Sequence, residues 1–103
     1  MDIVFASKRL EKICSDARLR VRTYGKDQAE RLGRRLDDLK AADRLEDLRH
    51  APGRLHELHG DRAGQLSLDL VHPDRLIFVP ADNPVPKKDD GGLDWTRIIA
   101  VRI

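Results

Sequence analysis

The chain has 103 residues and a formal net charge of +2, with charged residues at 37% and hydrophobic residues at 40%. This length supports one domain, residues 1–103, with a single modest core. No apolar run approaches the length of a membrane span, no secretory signal pattern is present, and the lone Cys14 cannot form an internal disulfide. We therefore exclude membrane-spanning and disulfide-stapled classes and expect a cytoplasmic protein.

The N-terminal segment predicts a short strand followed by a helix. Ile3 and Phe5 alternate with their neighbours as strand residues do, and Ser7 is placed to cap the helix that follows. Apolar residues then recur at spacings of three and four, which predicts one continuous helix ending near Gly25. The buried stripe of this helix would be Leu10, Ile13, Cys14, Ala17, Val21 and Tyr24.

A second helix is predicted to start near Asp27, where Asp27 and Glu30 imitate a capping box, and to form an antiparallel hairpin with the first. Its buried side would be Ala29, Leu32, Leu36 and Leu39. The outward faces of both helices are rich in arginine, namely Arg18, Arg20, Arg22, Arg31, Arg34 and Arg35. These side chains fit either a solvated, salt-bridged surface or a diffuse contact with RNA phosphates.

The second half of the chain predicts a sheet. Strands are expected over residues 54–59, 65–71, 75–80 and 96–103, with an exposed loop over residues 81–93 that carries prolines, glycines and charges. Short turns between neighbouring strands favour antiparallel pairing. The predicted fold class is α+β, an N-terminal strand and a helical hairpin packed on a small, mainly antiparallel sheet.

A series of residues in the second half resembles the HigB-type toxins of the RelE/ParE superfamily, and the resemblance extends over nearly the whole chain. The residues that carry it are Pro52, Arg54, Leu55, Leu58, Gly60, Arg62, Gly64, Gln65, Ser67, Arg75, Leu76 and Phe78. The resemblance implies a RelE/ParE-like fold and the toxin of a type II toxin–antitoxin system. Such a toxin is a ribosome-dependent endoribonuclease, an mRNA interferase that uses no metal or other cofactor. Its partners would be mRNA on the ribosome and a helix-turn-helix antitoxin, and it would meet operator DNA only through that antitoxin.

Metal-free cleavage of RNA needs a cation to stabilise the negative charge that develops on phosphorus. Arg75 is the first candidate, because it starts an apolar strand and because the resemblance places a phosphate-stabilising arginine there. Its alternative is an ordinary strand-end arginine paired with Asp74 or Asp69. Arg62, between two glycines, is the second candidate, and we expect it to converge with Arg75 on one hollow that holds the scissile phosphodiester. Its alternative is a structural arginine that ties the turn together.

The remaining site candidates are weaker. His59, beside Gly60, is the histidine we favour as a general acid or base, on chemical grounds alone. Arg54, Gln65 and Ser67 are expected to support RNA binding. His56 and His59 diverge on a strand and no second cysteine is present, so we predict no metal site.

Two features depart from the toxin pattern. HigB-type chains commonly continue into a short tail that supplies catalytic groups, whereas this sequence stops at Ile103, so we expect the tail to be either omitted or lost. Leu66 and Asp69 stand where relatives often carry aromatic or basic residues. The alternative function is therefore a catalytically inactive or non-nuclease member of the superfamily, which would act as an antitoxin-binding module or on another target such as gyrase.

Overall fold

Five strands form one mixed sheet, and three helices pack against one of its faces. The computed structural model describes residues 1–103. The strands are β1 (Asp2–Val4), β2 (His56–Glu57), β3 (Leu66–Asp69), β4 (Arg75–Pro80) and β5 (Ala100–Arg102), in the spatial order β1-β5-β4-β3-β2. The helices are α1 (Lys8–Ser15), α2 (Ala17–Tyr24) and α3 (Lys26–Ala41), and short 3-10 turns cover Leu45–Leu48 and Gly60–Arg62. The α+β class is confirmed, and all strand pairs are antiparallel except β1 with β5.

The first predicted helix is in fact two helices that meet at Asp16, so the prediction of one continuous helix is wrong. The Asp16 carboxylate accepts hydrogen bonds from the backbone N–H groups of Arg18 and Leu19, at 2.9 and 3.2 Å, and so starts a new helix. Of the predicted stripe only Ile13 and Cys14 are buried, while Val21 and Tyr24 are exposed. The Ser7 cap is confirmed, because its hydroxyl accepts from the Leu10 N–H at 3.1 Å.

The second predicted helix is present as α3, and its predicted buried side is confirmed. The predicted capping box is wrong. The residue before the helix is Gly25, with φ of 84°, and no side chain caps α3. Asp27 lies inside the first turn, where its negative charge still faces the positive end of the helix dipole.

Two arginines that were expected on outward helix faces point inward. Arg35 is only 7% exposed and donates from Nε to the backbone carbonyl of Asp69 at 2.8 Å. Arg20 is half-buried and donates to the carbonyl of Cys14. The Arg20 guanidinium also lies against α3, 3.4 Å from where a Cβ on Gly33 would be. Long stems allow arginine to cover apolar surface while its head bonds to backbone carbonyls.

The strand predictions hold best in the middle of the sheet. β4 has the predicted bounds and β3 lies within its predicted range, but β2 is only two residues long. The last strand begins at Ala100 rather than at residue 96, because carboxylates take the amides that a longer ladder would use. Asp94 accepts from the Thr96 N–H at 3.0 Å, and Asp82 accepts from the N–H groups of Ile99 and Ala100 at 3.1 Å.

One core lies between the sheet and the helices. Its fully buried large side chains are Leu39, Leu45, Leu66, Leu68, Phe78, Ile98 and Val101. Trp95 attaches the long segment 81–99 to this core. Its Nε1 donates to Glu57 at 3.1 Å, and the Arg49 guanidinium lies 4.4 Å from its ring centroid. The tip of the connection, residues 87–91, is exposed as expected, and a bridge between Lys87 and Leu93 closes it.

Candidate functional site

The face of the sheet opposite the helices carries most of the predicted site residues. In β3 and β4 the core-facing pairs are Leu66 with Phe78 and Leu68 with Leu76, so the alternate pairs face away from the core. We call this second side the open face. Its side chains, assigned from register and alternation, are Val4, His56, Gln65, Ser67, Asp69, Arg75, Ile77, Val79 and Arg102. Arg54 reaches the same face through its ion pair with Asp69.

Arg75, like Arg102, is an unpaired cation on the open face. Its side chain is exposed and makes no hydrogen bond or ion pair. Both carboxylates that were considered as its partners are engaged elsewhere. Asp69 accepts from Arg54 Nε at 2.7 Å, and Asp74 accepts from the Gln28 amide at 2.8 Å. The alternative of an ion-paired strand-end arginine is therefore wrong, and Arg75 can meet an anion without first losing a partner.

His56 is held on the same face by two contacts. Its Nδ1 lies 2.8 Å from the carbonyl oxygen of Arg54, which can only accept, so this nitrogen carries a proton. The Ser67 hydroxyl oxygen lies 3.2 Å from Nε2 and 3.5 Å from Nδ1, so it packs against the ring and leaves the in-plane lone pair of Nε2 free. The carbonyl comes into place because Arg54 has φ of 50°, in the left-handed region. A histidine oriented through one nitrogen is suited to accept a proton at the other.

A groove of about 310 Å³ lies at the end of the β3–β4 hairpin, beside Arg75. Its charged and titratable lining residues are Arg54, Asp69, His72, Asp74 and Arg75. His56 lies on one side of the cross-strand pair formed by Asp69 and Arg75, in the row of paired residues that includes Ser67. His72 lies on the other side, in the turn between β3 and β4. An anion bound to Arg75 would therefore have one histidine on either side of it.

Arg62 and His59 lie away from this groove. Arg62 is in the 3-10 turn before β3, whereas Arg75 pairs with Asp69 at the other end of that strand, which is about 10 Å long. Both Arg62 and His59 are exposed, and their side chains make no hydrogen bond. The expectation that Arg62 and Arg75 converge on one hollow is wrong, because β3 separates them. The alternative of a structural Arg62 is also wrong, because nothing in the turn accepts from its guanidinium.

No protein-family model, no curated protein and no solved structure matches the chain. No group of three His, Cys, Asp or Glu side chains is arranged to hold a metal ion, and none of the helices has the length and apolar character needed to span a membrane.

The three supporting candidates share the open face but differ in what they can contact. Gln65 is half-buried and its side chain is free, and Arg54 is well exposed although paired with Asp69. Ser67 is 0% exposed and its hydroxyl packs against the His56 ring, so the expectation of a direct contact between Ser67 and RNA is wrong. Its hydroxyl supports the His56 ring instead.

His56 and Arg102 on this face, and His72 in the adjoining β3–β4 turn, were not selected from the sequence. His56 pairs with Ser67, which puts its side chain on the open face, whereas Arg54 precedes the strand and reaches that face through Asp69. Arg102 pairs with Val79 and Val4, which follows only from the register of β5. His72 sits in a turn whose geometry no local pattern specifies.

A second concavity of about 260 Å³ lies on the helical side of Arg75. Its lining is mostly apolar and includes Leu10, Cys14, Tyr24, Leu32 and Leu76. Burial raises the pKa of the Cys14 thiol, although Arg20 and Lys40 oppose this. The thiol is therefore kept protonated, and this wall is apolar surface rather than a nucleophile.

Proposed function

We propose that this chain is the toxin of a type II toxin–antitoxin system, a metal-independent endoribonuclease that cleaves mRNA on the ribosome. The observation that carries the proposal is the unpaired Arg75 on an open sheet face, with His56 and His72 placed on its two sides. A free guanidinium suits a phosphodiester because it is always charged and can bind two oxygens of one phosphate. Arg62 and His59, at the other end of β3, have no part in this proposal.

Each group has a defined role in the proposed reaction. Arg75 binds the scissile phosphate and stabilises the extra negative charge in the transition state. His56 Nε2 takes the proton of the ribose 2′-hydroxyl, whose oxygen attacks phosphorus, while Nδ1 stays bonded to the Arg54 carbonyl. The bond from phosphorus to the 5′-oxygen breaks, and that oxygen receives a proton from the protonated His72. The products are a 2′,3′-cyclic phosphate and a 5′-hydroxyl end.

The dimensions of the sheet are compatible with these roles. His56 and Arg75 are separated by two strand spacings and two residues, which gives about 12 Å between their Cα atoms. Both side chains project from the same face, so the arginine head and the imidazole can approach one phosphodiester between them. Reacting groups must lie within hydrogen-bond reach when the substrate is bound, and such contacts tighten in the complex.

The resemblance to HigB-type toxins supplies the biological setting of the proposal. The mixed sheet, with helices on one face only, is compatible with the RelE/ParE-like fold that the resemblance implies. The toxin would act in the cytoplasm, bind mRNA on the ribosome, and be neutralised by a helix-turn-helix antitoxin. Contact with operator DNA would occur only through that antitoxin.

The proposal is tested by inducing the chain in bacteria and mapping the ends of cellular transcripts. We expect growth to stop and mRNA to be cut within codons, only where ribosomes translate it. Co-expression of the product of the adjacent gene should restore growth if that gene encodes the antitoxin. Growth arrest with intact mRNA would contradict the nuclease and favour a different target.

A binding module without catalysis is the second candidate function, and the apolar concavity beside Arg75 is the observation that favours it. Tyr24 at its edge is 43% exposed and Val21, nearby on α2, is 44% exposed. Apolar side chains of an antitoxin would find a site here. In this case the chain would bind the antitoxin without cleaving mRNA, or would act on another target such as gyrase.

A further inference from the structure

The helices α1 and α2 form the most basic part of the surface. Residues 8–24 contain six basic side chains and two acidic ones, a net charge of +4 in a chain whose total is +2. The rest of the molecule therefore has a net charge of −2. None of the six salt bridges in the structure involves a residue of α1 or α2. Five arginines elsewhere in the chain pair with carboxylates, whereas no cation of α1 or α2 does.

A cleft between the two helices concentrates this charge. Its volume is about 490 Å³, and its lining residues are Lys8, Arg9, Lys12, Ile13, Leu19 and Thr23. The three cations come from α1, are exposed, and have no hydrogen-bond or ion-pair partner. We call this site the basic cleft. It is separate from the open face, because α1 and α2 belong to the helical side of the sheet.

The acidic residues of this region do not neutralise the basic cleft. Asp16 uses its carboxylate to cap α2, accepting from two backbone N–H groups, and Glu11 is not among the lining residues. Arg20 turns away toward the carbonyl of Cys14. Three cations on one concave wall without a carboxylate attract an anion of several charges, such as consecutive phosphates.

We infer that the basic cleft binds the phosphate backbone of a structured RNA. A duplex is recognised mainly through its shape and phosphates, which flexible lysine and arginine side chains on a concave wall can contact without reading bases. An acidic peptide fits less well, since a partner helix needs an apolar stripe and this cleft offers only Ile13, which is buried, and Leu19. The choice of RNA over DNA rests on the proposed function, whereas the binding itself does not require that the open face cleave anything.

The test measures binding in an Arg75→Ala background, so that loss of cleavage and loss of binding are separate results. The probe is a short fluorescein-labelled RNA duplex, followed by fluorescence anisotropy between about 50 and 200 mM salt. Lys8→Ala, Arg9→Ala and Lys12→Ala are combined in one variant. The matched control combines Lys26→Ala, Lys40→Ala and Lys87→Ala, which removes the same charge from exposed positions outside the basic cleft.

We expect the cleft variant to bind the RNA at least about tenfold more weakly at low salt. The slope of its log affinity against log salt should be smaller by about three, one for each lost phosphate contact. The control should retain most of the affinity. Equal losses in both variants would overturn the site, because net charge alone would then explain binding. Stronger binding to a DNA duplex of equal length, or equal competition by polyglutamate, would overturn the assignment to RNA. If the triple variant does not fold, each single variant should still lower the slope by about one, and three unchanged slopes would overturn the inference.

Discussion

Arg35, in the middle of α3, donates a hydrogen bond from Nε to the backbone carbonyl of Asp69 at the end of β3, 2.8 Å away. The same guanidinium fills the space beside Gly53, where a Cβ would lie 2.8 Å from Nε. The Gly53 carbonyl in turn accepts from the Asp69 N–H at 2.7 Å. One buried arginine thus connects α3 with Gly53 and with Asp69, whose carboxylate pairs with Arg54.

Replacing Arg35 should destabilise the fold. We expect Arg35→Ala to lower the free energy of unfolding by about 2–3 kcal/mol, since the buried carbonyl loses its donor. Gly53→Ala should also be costly, because φ is 109° and the new methyl group meets the Arg35 side chain. Gly60→Ala is the matched control, with φ of 64° and nothing within 4 Å of the added Cβ. Urea unfolding measures all three, and equal losses for the two glycines would show that Arg35 does not fill the space at Gly53.

We expect the protein to lose stability in acid as the Asp94 carboxylate becomes protonated. A hydrogen bond from the Thr96 hydroxyl, and then the Arg97 guanidinium, hold the pKa of this carboxyl below its ordinary value of 3.8. A carboxyl with a lowered folded-state pKa stabilises the fold above its unfolded pKa, and this contribution disappears as pH falls through the folded value. The melting temperature should therefore drop below about pH 4, and Asp94→Asn should flatten part of that drop.

Glu46 contributes to the same acid dependence, because a hydrogen bond from Arg49 lowers the pKa of its carboxyl. Circular dichroism follows thermal unfolding of the unchanged chain and of Asp94→Asn at several pH values. The slopes of melting temperature against pH are then compared. Identical pH profiles would contradict the role given to Asp94.

Of the two histidines in or near β2, His56 and not His59 should be needed for cleavage. Removing a general base costs about 10²–10⁴-fold in rate, so His56→Ala should slow RNA cleavage by that factor while His59→Ala leaves it unchanged. Ser67→Ala should have a smaller effect, since the Arg54 carbonyl still orients the ring. Single-turnover cleavage on programmed ribosomes measures these rates. A stronger effect of His59→Ala than of His56→Ala would refute the assignment.

The sequence predicted the elements whose signals are local. Alternation located β3 and β4, and the apolar spacing of α3 identified its buried side. The break at Asp16 was missed because the apolar spacing continues through it, although an aspartate in that position can start a helix. The burial of Arg35 depends on a carbonyl 34 residues away, which no helical pattern specifies.

The site was predicted in part for the same reason. Gln65 and Arg75 lie on the open face because side chains alternate along β3 and β4, whereas Arg54 reaches it through its ion pair with Asp69. Arg62 and His59 both precede β3, whereas antiparallel pairing places Arg75 beside Asp69 at the other end of that strand. Register is a long-range property, and local composition does not determine it.

The most direct test of the account compares Arg75→Ala with Arg62→Ala, two exposed arginines without partners of which only one lies on the open face. Each variant is assayed for mRNA cleavage on programmed ribosomes, with the cut ends mapped and urea unfolding as a check on the fold. We predict a loss of at least about 10²-fold in rate for Arg75→Ala and no more than a small change for Arg62→Ala, because only the first removes the transition-state cation. Cleavage that survives Arg75→Ala, or that is lost equally in both variants, would contradict the account.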